Sequence, residues 1–534
     1  MSYFTTHNGF FLVPLDRYDE ELKKIDFLLY ILEKSKAGMI IKNMNFKSET
    51  KGRNSHNPYN LFSLILFCFA FKKATLRDIE EMCKYDLRTM YLMDQETPSY
   101  KTISEFINKV ILPNTYELFA AVTSTIIDEL GLDITDQYLD GTKFEANANK
   151  YKFVWKPTKF HEKLDAKIKG YLIKIDEKYA SKELIKSHVL FEKINSFAKR
   201  NQVDIENIPT GKGKRKTKEQ KLYTEGYNYL KKLLEYEEKE KICGEKRNSY
   251  YKTDHDATAM ALKTDYYSGH GTNMHAAYNV QLMVSSGIVT FFGTFQDRTD
   301  YHTMIPLLTR YKKYYGNYPA NLCADSGYGI YENYKFLKKK KIGNYVKMTS
   351  WNGESTGKRP QMYKLNENKD GFICLGGKEG EIVPFDSKKH QRNKEGKLYR
   401  FSGCNSCDYA YKCKEKMKKK DDDFKKVELI VRYEKLKEEA RKNLLSRKGI
   451  EIRVNRSIQA EGAFGQVKQN MGYVRFRRRG LEKVNCEIML VCLGRNVRKL
   501  FSLYEKNEIK SQYWTLSDET VIKESFPKLK PKKQ

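Results

Sequence analysis

The chain has 534 residues, 40% hydrophobic and 31% charged, a balance that excludes an intrinsically disordered protein. Its length exceeds one ordinary core and predicts about three to four domains or large insertions. The formal net charge of +31 predicts a polyanionic partner, either nucleic acid or an anionic membrane surface. A merely soluble basic surface is the weaker interpretation, because the charges come in local runs mixed with aromatic residues.

Neither a membrane-spanning segment nor an export signal is expected. The longest apolar run, LFSLILFCFAF at Leu61 to Phe71, is too short to cross a bilayer and predicts a buried helix. The first residues lack the basic region and the small-residue cleavage site of a signal peptide. We therefore expect a cytoplasmic protein, whose ten cysteines are core thiols or metal ligands rather than disulfides.

Residues 1–130 are predicted to form an all-helical domain. NPYNLFSLILFCFAFKK makes one apolar helix, and TLRDIEEMCKYD starts at Thr75 with Asp78 three residues on, a spacing that resembles a capping box. The next helix, in ETPSYKTISEFINKVI, has Thr102 as its expected N-cap. Three such helices indicate a helix-turn-helix module, and its second helix would present to DNA Tyr100, Lys101, Thr102, Ser104 and Asn108. An ordinary helical bundle explains the pattern equally well.

The pattern changes twice between residues 131 and 250. The alternating pattern in LDITDQYLDGTKFEANANKYKF predicts a strand followed by a turn at Asp140-Gly141. We assign residues 131–156 to the first part of an α/β core. Residues 157–250 are polar, with Lys and Glu at helical spacing, and predict a helical insertion. The basic loop GKGKRK inside it is either a solvated face or a phosphate contact.

Residues 251–349 are predicted to form the second part of the core. MHAAYNVQLMVSSGIVTFFGTFQ predicts two strands joined by a turn at residues 285–287; a helix, the strand in ANLCADSGYG, a basic helix and the strand GNYVKM follow. This order predicts a mixed α/β sheet. Periodicity is lost in the Cys-rich insertion, residues 350–440. Helices resume at residues 441–505, and residues 506–534 form a basic tail.

Three acidic residues stand at special places in this pattern. Asp140 and Asp325 each follow a predicted strand with glycine close behind, so they project from the sheet edge at which α/β folds bind ligands. Glu461 lies on the helix that follows the Cys-rich segment. Each alone is more often a turn-forming or solvated acid. Together, in so basic a chain, they fit a site for divalent cations.

The chemistry of phosphodiester cleavage explains such a combination. Two metal ions roughly 3.5–4 Å apart can activate the attacking oxygen and stabilise the leaving oxygen. Magnesium and manganese prefer carboxylate oxygens, which favours Asp and Glu over His and Cys as ligands. Basic surroundings then hold the DNA that the acids alone would repel.

Segments along nearly the whole chain resemble DDE-type transposases of bacterial insertion sequences, most closely the eleven-eighty-two group of the IS-four-like superfamily. The resemblance rests on the order and joint presence of YNLFSLILFCFAF, TLRDIEEMCKYDLRTMYL, TPSYKTISEFINK, YLDGTKFEANANKY, DHDATAM, YNVQLMVSSGIVTFFGTFQDRTDYHTMIPLL, ADSGYG and AEGAFGQVKQNMGYVRFRRRGLEKVNCEIMLVCLGRNVRKL. It implies an RNase H-like catalytic core, with the family's three acids at Asp140, Asp325 and Glu461 and two Mg²⁺ or Mn²⁺ ions as cofactors.

The wider family carries a Tyr-Arg-Glu-Lys signature around the last acid. Lys468 matches its Lys, seven residues after Glu461. The Arg position is Ser457 here, with Arg456 one place off, and the Tyr position is Val454. The residues expected to bind DNA are therefore Lys468, Arg456, Arg475, Arg477, Arg478 and Arg479, with Lys101, Thr102 and Ser104 in the N-terminal helices.

DHDA at residues 254–257 also matches a family motif. We expect Asp254 and Asp256 to form a turn at the entry to a strand rather than to bind metal.

The cysteines divide into two groups. Cysteines in apolar stretches of the sequence are expected in the core, namely Cys68, Cys83, Cys323, Cys486 and Cys492. Cys243 has no assigned role. The other set, Cys374, Cys404, Cys407 and Cys413, has the spacing Cys-x29-Cys-x2-Cys-x5-Cys, which fits tetrahedral zinc. Their segment has few apolar residues, so a metal would help it to fold. Free thiols in a flexible loop are the alternative.

A helical projection explains the surroundings of Glu461. At about 100° per residue over residues 457–472, Glu461 shares one face with Gly465, Lys468 and Gly472. Each glycine costs roughly 0.5–1 kcal/mol of helix stability relative to alanine, which makes sense if a DNA backbone approaches closely. Tight helix packing is the alternative.

The resulting hypothesis is a metal-dependent transposase. It binds the terminal inverted repeats of its own element, releases a 3′-hydroxyl at the element end and directs that hydroxyl at target DNA. Bringing two ends together favours a homodimer on double-stranded DNA, in the bacterial cytoplasm at the nucleoid. A catalytically inactive, transposase-derived DNA-binding protein is one alternative, and a stand-alone nuclease on the same core is another.

Overall fold

The computed structural model divides the chain into two compact units. The described residues are 19–42, 56–71, 75–155, 157–177, 179–209, 215–245, 247–262, 274–386, 391–415, 422–506, 513–517 and 526. Unit 1 comprises Met1–Thr142, Asn279–Val474 and Glu482–Gln534, and unit 2 comprises Lys143–Tyr278 and Arg475–Leu481. Most of the predicted basic tail and residues 210–214 of the predicted basic loop lie outside the described residues.

The α-helices of the described residues are α1 Asp19–Lys34, α2 Ala37–Lys42, α3 Pro58–Ala70, α4 Leu76–Tyr85, α5 Leu87–Leu92, α6 Tyr100–Phe106, α7 Thr115–Glu129, α8 Pro157–Ile175, α9 Ser187–Arg200, α10 Lys218–Cys243, α11 Met304–Tyr315, α12 Tyr331–Lys339, α13 Trp351–Ser355, α14 Ala410–Cys413, α15 Val431–Leu445, α16 Arg447–Arg456, α17 Gly462–Gly465 and α18 Leu481–Lys506. Three π turns extend them, at Ile107–Ile111, Ser457–Glu461 and Gln466–Asn470.

The strands are β1 Asp136–Glu145, β2 Phe153–Trp155, β3 Ser249–Tyr251, β4 Thr258–Ala261, β5 Met274–Ser285, β6 Ile288–Phe295, β7 Asn321–Ala324, β8 Gly343–Val346, β9 Tyr363–Leu365, β10 Phe372–Cys374, β11 Glu381–Val383, β12 Lys397–Ser402 and β13 Phe424–Leu429. Helices and a mixed sheet alternate along the core, which agrees with the predicted α/β class.

The N-terminal helices begin largely as their sequences predict. The apolar helix α3 is buried from Leu61 to Ala70, and Asn57 caps it. At the start of α4, Thr75 Oγ1 accepts a hydrogen bond from the N–H of Asp78 at 3.0 Å. The prediction of Thr102 as an N-cap is wrong. Ser99 caps α6 instead, because its extended backbone lets its hydroxyl reach the N–H of Thr102.

The central sheet of unit 1 has the order β6-β5-β1-β7-β8. Strands β1, β7 and β8 run parallel, whereas β5 and β6 form an antiparallel hairpin. Ser286 and Gly287 make the predicted turn of this hairpin, both with positive φ. Helix α11 connects β6 to β7, and helix α12 connects β7 to β8. The carboxyl ends of the three parallel strands, β1, β7 and β8, therefore lie side by side.

The core of unit 1 lies between this sheet and the long apolar helices. In α18, the buried Asn496 side chain bonds both backbone groups of Val289, at 2.9 and 2.8 Å. Helix α18 also passes very close to α3, since a Cβ on Gly494 would lie 2.8 Å from the backbone of Phe69. On the neighbouring helix α7, Tyr116 stacks on Phe292 of β6 with ring centroids 5.1 Å apart. The apolar helices thus fix the sheet by close contacts.

The described residues of unit 2 include the helices α8, α9 and α10, which share a hydrophobic cluster of their own. Thr217 and Gln220 form a complete capping box at the start of α10. Strands β2 and β3 pair antiparallel, and β4 pairs antiparallel with residues 274–277 of β5.

The Cys-rich segment has more structure than its sequence predicts. Strands β9 and β10 form one small sheet and β11, β12 and β13 another. Their core is aromatic, with Phe372, Tyr399 and Phe401 buried. The expectation that this segment lacks apolar residues for a core is therefore wrong, because a few aromatic side chains, each large in area, replace a longer apolar pattern.

One helical run among the described residues, Tyr100–Glu129, is long and apolar enough to cross a membrane by length and composition. Buried core helices pass the same test, and 56% of its most apolar window is buried inside the protein. The run is weak evidence for a membrane span.

Candidate active site

Asp140 lies within β1 rather than at a turn. The predicted turn at Asp140-Gly141 is wrong, since β1 continues to Glu145. Gly141 has a different purpose. A Cβ at this position would collide with the Gln281 amide and lie 2.7 Å from Asp300 Oδ1. The glycine therefore makes room for two side chains beside Asp140.

Asp325 directly follows β7, as the sequence predicts. The parallel register pairs Leu139 with Ala324 and Ala324 with Val346. The next residues along the three strands are Asp140, Asp325 and Lys347, so these three side chains start from neighbouring positions. The Lys347 Nζ lies 3.5 Å from Asp325 Oδ1.

The pKa of Asp325 is lowered by its surroundings. Burial raises this pKa, but the Ser326 N–H and the cations Lys347 and Arg456 outweigh that effect. The net pKa lies below the ordinary value, so Asp325 is a carboxylate at neutral pH.

A π turn, Ser457–Glu461, brings the third acid to the same place. Helix α16 ends at Arg456, and the π turn follows it directly. In a π turn, residues five positions apart are one turn apart. Arg456 Nη2 accordingly donates to Glu461 Oε1 at 2.9 Å, and Arg456 Nη1 lies 3.6 Å from Asp140 Oδ1.

Arg456 is the point at which the three acids converge. Its side chain is only 3% exposed, whereas those of Asp140, Asp325 and Glu461 are 22%, 48% and 58% exposed. Burial lowers the pKa of Arg456, but Asp140, the Cys323 thiol, Asp325 and Glu461 raise it above its ordinary value. A buried guanidinium thus faces a group of carboxylates that open toward solvent.

Lys468 lies near the same strand. Its Nζ donates to Thr142 Oγ1 at 2.8 Å, and Thr142 stands two residues after Asp140, on the same face of β1. A Cβ on Gly465 would meet nothing within 4 Å in the described part of the chain. Gly472 does not share this face, contrary to the projection. The helical run ends at Asn470, and Gly472 adopts φ +65° in the turn that follows.

Asp300 is an acid that sequence reasoning missed. Its Oδ1 accepts hydrogen bonds from Asn279 Nδ2 at 2.8 Å and Gln281 Nε2 at 2.7 Å. The Tyr328 hydroxyl donates to Gln281 Oε1. Burial, together with the charges of Asp300 and Asp140, raises the pKa of Tyr328 well above its ordinary value. In the sequence, Asp300 looks like a common helix-start acid, and no local signal distinguishes it.

The other residues predicted to bind DNA belong to α6 and to the segment Arg475–Leu481. Lys101 is exposed on α6, while Thr102 and Ser104 are partly buried there. The arginines belong to the segment Arg475–Leu481 of unit 2, in which Arg475, Arg477 and Arg479 are exposed and Arg478 is partly buried. Asp254 and Asp256 form a turn before β4, as expected.

The four cysteines of the Cys-rich segment are free thiols that lie near one another. A Cβ on Gly376 would be 2.6 Å from Cys407 Sγ and 3.8 Å from Cys374 Sγ. Burial raises the pKa of the Cys404 and Cys413 thiols, and the neighbouring cysteines raise it further. The donor set fits zinc. Among the described residues, however, no three His, Cys, Asp or Glu side chains are gathered closely enough to hold a metal ion, and this holds for Asp140, Asp325 and Glu461 as well as for the cysteines.

The predicted core cysteines are confirmed as buried, namely Cys68, Cys83, Cys323, Cys486 and Cys492. Cys243, which had no assigned role, is also buried, and its Sγ donates to the Arg247 carbonyl at 3.1 Å.

Two family models match parts of the chain. Residues 373–501 match the family model described as a Transposase DDE domain. This range contains Arg456, Glu461, Lys468 and the four clustered cysteines, whereas Asp140 and Asp325 lie outside it.

A second match lies in the N-terminal helices. Residues 16–109, which include α1 to α6, match the model described as a Transposase domain (DUF772). The two matches confirm the resemblance to DDE-type insertion-sequence transposases, and they support a transposase function with DNA as partner. They do not distinguish the eleven-eighty-two group. Comparisons with curated proteins and with solved structures found no match.

Proposed function

We propose that this chain is a DNA transposase that binds the terminal inverted repeats of an insertion sequence and catalyses metal-dependent strand cleavage and strand transfer. The observation that carries the proposal is the convergence of Asp140, Asp325 and Glu461 on the buried Arg456. Three partly exposed carboxylates beside one buried guanidinium supply the oxygen ligands that a divalent-cation site uses. As they stand, the three are not gathered closely enough to hold an ion, so cation binding would have to draw them together.

The carboxylates of Asp140, Asp325 and Glu461 supply the ligands that Mg²⁺ and Mn²⁺ prefer. When bound, two such ions activate the attacking oxygen and stabilise the leaving oxygen. The lowered pKa of Asp325 keeps its carboxylate ready for a cation. Attack by water and then by the released 3′-hydroxyl needs no covalent bond between protein and DNA, so no nucleophilic Tyr or Ser is required.

Arg456 takes the role of the family's signature arginine in this proposal. Its hydrogen bond orients Glu461, which is otherwise an exposed and mobile type of side chain. Lys468 lies beside Thr142 on the strand of Asp140 and is placed to hold a neighbouring phosphate. Together they orient one ligand and one phosphate without entering the chemistry.

DNA binding would combine several basic surfaces. The N-terminal helices present Lys101, with Thr102 and Ser104 beside it, and the segment Arg475–Leu481 presents its arginines. The net charge of +31 provides general attraction for phosphates. Two element ends must be brought together, which favours a homodimer on DNA.

We propose in addition that Cys374, Cys404, Cys407 and Cys413 hold a structural zinc ion. The support is their Cys-x2-Cys spacing and the approach of two of the thiols to Gly376. A zinc ion would join the small sheets of the Cys-rich segment, whose aromatic core alone is limited in size.

A strand-cleavage assay with Mg²⁺, on DNA that carries the ends of the element, tests the main proposal. We expect Asp140→Asn, Asp325→Asn and Glu461→Gln each to lower cleavage by more than about 100-fold, since outer-shell changes alone cost about 10–100-fold. Each variant should still bind the same DNA, because neutral amides remove repulsion rather than contacts.

Glu439→Gln is the matched control for this assay. Glu439 is an exposed acid that pairs with Lys338 at the surface, and such pairs contribute little. If the three site variants cut as well as this control, the assignment of the acids is wrong. If the wild-type protein binds the ends but never cuts them, the inactive DNA-binding alternative holds.

A further inference from the structure

The segment Arg475–Leu481, which we call the arginine loop, is tied to unit 2 by its backbone. It contains four arginines in the sequence RFRRRG, residues 475–480. Phe476 is its anchor, buried at 1% exposure with ring centroids 5.7 Å from Phe144 and 5.8 Å from Tyr278. The N–H of Phe476 also donates to the Glu145 carbonyl at 2.9 Å. The loop is therefore held at its start.

Asn147 holds the middle of the arginine loop. Its Nδ2 donates to the Arg477 carbonyl at 2.7 Å, and its own carbonyl accepts from Arg479 Nε at 2.8 Å. The first of these bonds goes to the loop backbone. The Arg477 side chain can therefore be changed without removing it.

The acids of the DHDA motif hold the end of the arginine loop. Asp254 is 3% exposed, and both its oxygens lie 2.9 Å from the Tyr278 hydroxyl. Its Oδ1 also accepts from the N–H of Gly480 at 3.1 Å. Asp256 Oδ2 accepts from the N–H of Leu481 at 2.8 Å. Two neighbouring carboxylates thus fix two consecutive backbone donors, where Gly480 adopts φ +85°.

A buried carboxylate is costly unless it is hydrogen-bonded, and the contacts of Asp254 with Tyr278 and Gly480 offset that cost. Fixing the backbone of a loop before it binds lowers the entropy lost on binding. Three of the four arginines, Arg475, Arg477 and Arg479, are exposed residues. Arginine forks match phosphate oxygens, and phosphate contacts set position rather than sequence.

We propose that Asp254 and Asp256 are positioning residues for DNA binding, which hold the arginine loop in the conformation that contacts the phosphate backbone. The inference rests on the proposed function for its DNA partner. It gives the DHDA motif a role apart from metal ligation, and it predicts an effect opposite in sign to simple electrostatics. Removing a negative charge from a DNA-binding protein should tighten binding, whereas loss of this support should weaken it.

Binding of a DNA duplex by Asp254→Ala, Asp256→Ala and Arg477→Ala proteins, measured at two salt concentrations, tests the inference. We expect each variant to bind about tenfold more weakly on any duplex sequence, with a smaller dependence on salt, as for the loss of a phosphate contact. Since the acids act through the arginines, the double variant Asp256→Ala/Arg477→Ala should lose little more than either single variant.

Asp204→Ala is the matched control, since it removes one negative charge from an exposed acid of the same unit. It should bind as tightly as the wild type or more tightly. Hydrogen exchange at the Gly480 and Leu481 amides should accelerate in the Asp254 and Asp256 variants and not in the control.

The inference is overturned if both acid variants bind as tightly as the control, or if their losses add fully to that of Arg477→Ala. Should Asp254→Ala fail to fold, Asp256→Ala, whose side chain is partly exposed, decides the question alone. A wild-type protein that binds no DNA would overturn the proposed function itself. Wild-type binding with unaffected acid variants overturns only the role of the motif.

Discussion

Arg456 stands five residues before Glu461, one more than the spacing of the family's signature arginine, and the structure shows how it still reaches this acid. On a regular α-helix, a residue five positions before Glu461 would point about 140° away from it. The π turn Ser457–Glu461 removes this difference, because its hydrogen bonds span five residues. The hydrogen bond from Arg456 to Glu461 is the result. Arg456 thus contacts Glu461 although it stands one position before Ser457, where the resemblance implies an arginine.

Asp300 gives the prediction at the scale of single residues. Its carboxylate fills the space beside Gly141, and a Cβ on Gly327 would lie 3.3 Å from its Oδ2. It therefore lies close to the backbone near Asp140 and Asp325, the two aspartates of the proposed site. We expect Asp300→Ala to lower cleavage about 10–100-fold and to raise the Mg²⁺ concentration needed, as outer-shell changes do.

A Mg²⁺ titration of the cleavage rate measures this effect. Asp300→Asn should keep most of the activity, because its amide oxygen still accepts from Asn279 and Gln281. Wild-type rates and Mg²⁺ dependence in Asp300→Ala would show that the carboxylate has no part in the site.

At the scale of elements, the junction of α4 and α5 depends on one aspartate. Asp86 Oδ1 caps α5 by accepting from the N–H of Arg88 at 3.0 Å, and its carboxylate also binds the Arg88 guanidinium at 2.9 and 2.7 Å. Arg88 reaches Glu21 of α1 at 3.0 Å. A helix cap and an ion pair thus join three helices of the region that matches a transposase domain.

The Asp86 junction predicts a pH-dependent stability. Burial raises the pKa of Asp86, but the hydrogen bonds and charge of Arg88 lower it below the ordinary value of 3.8. A lowered carboxyl pKa stabilises the fold above the unfolded value, and this contribution is lost as the pH falls through the folded value. Asp86→Ala should therefore cost about 1 kcal/mol near neutral pH and progressively less below about pH 4.

Thermal unfolding of the two proteins between pH 7 and pH 3 measures the difference. Thr75→Ala is the control, because Thr75 caps α4 without a titrating group and its cost should not vary with pH in this way. A difference between wild type and Asp86→Ala that stays constant down to pH 3 contradicts the assignment.

At the scale of the whole molecule, we propose two kinds of metal chemistry in separate segments. Partly exposed carboxylates on the central sheet suit exchangeable hard cations, whereas the thiols of the Cys-rich segment suit a retained zinc ion. The whole protein, purified under reducing conditions, should therefore contain about one zinc per chain and no retained magnesium.

Elemental analysis measures the metal content of the purified protein, and thermal unfolding with a chelator tests whether the zinc stabilises it. Cys404→Ser and Cys407→Ser should lose the zinc and lower the melting temperature, while cleavage-site variants keep it. Cys243→Ser is the matched control, since that buried cysteine lies in unit 2 and its replacement still donates to Arg247. Wild-type protein that binds no zinc contradicts the proposed zinc site.

By itself, the sequence determined the order of helices and strands in the core, the buried apolar helices and the turn at Ser286-Gly287, and it suggested the three acids of the proposed site. These follow from periodicity, capping residues and residue chemistry, which act over a few neighbouring positions. Only the tertiary structure decided that β1 runs on past Gly141, that Asp300 lies beside Asp140, and that Arg456 reaches Glu461. The physical reason is that strand register, the space beside a glycine and a π turn depend on side chains from distant parts of the chain, and local sequence carries no record of those contacts.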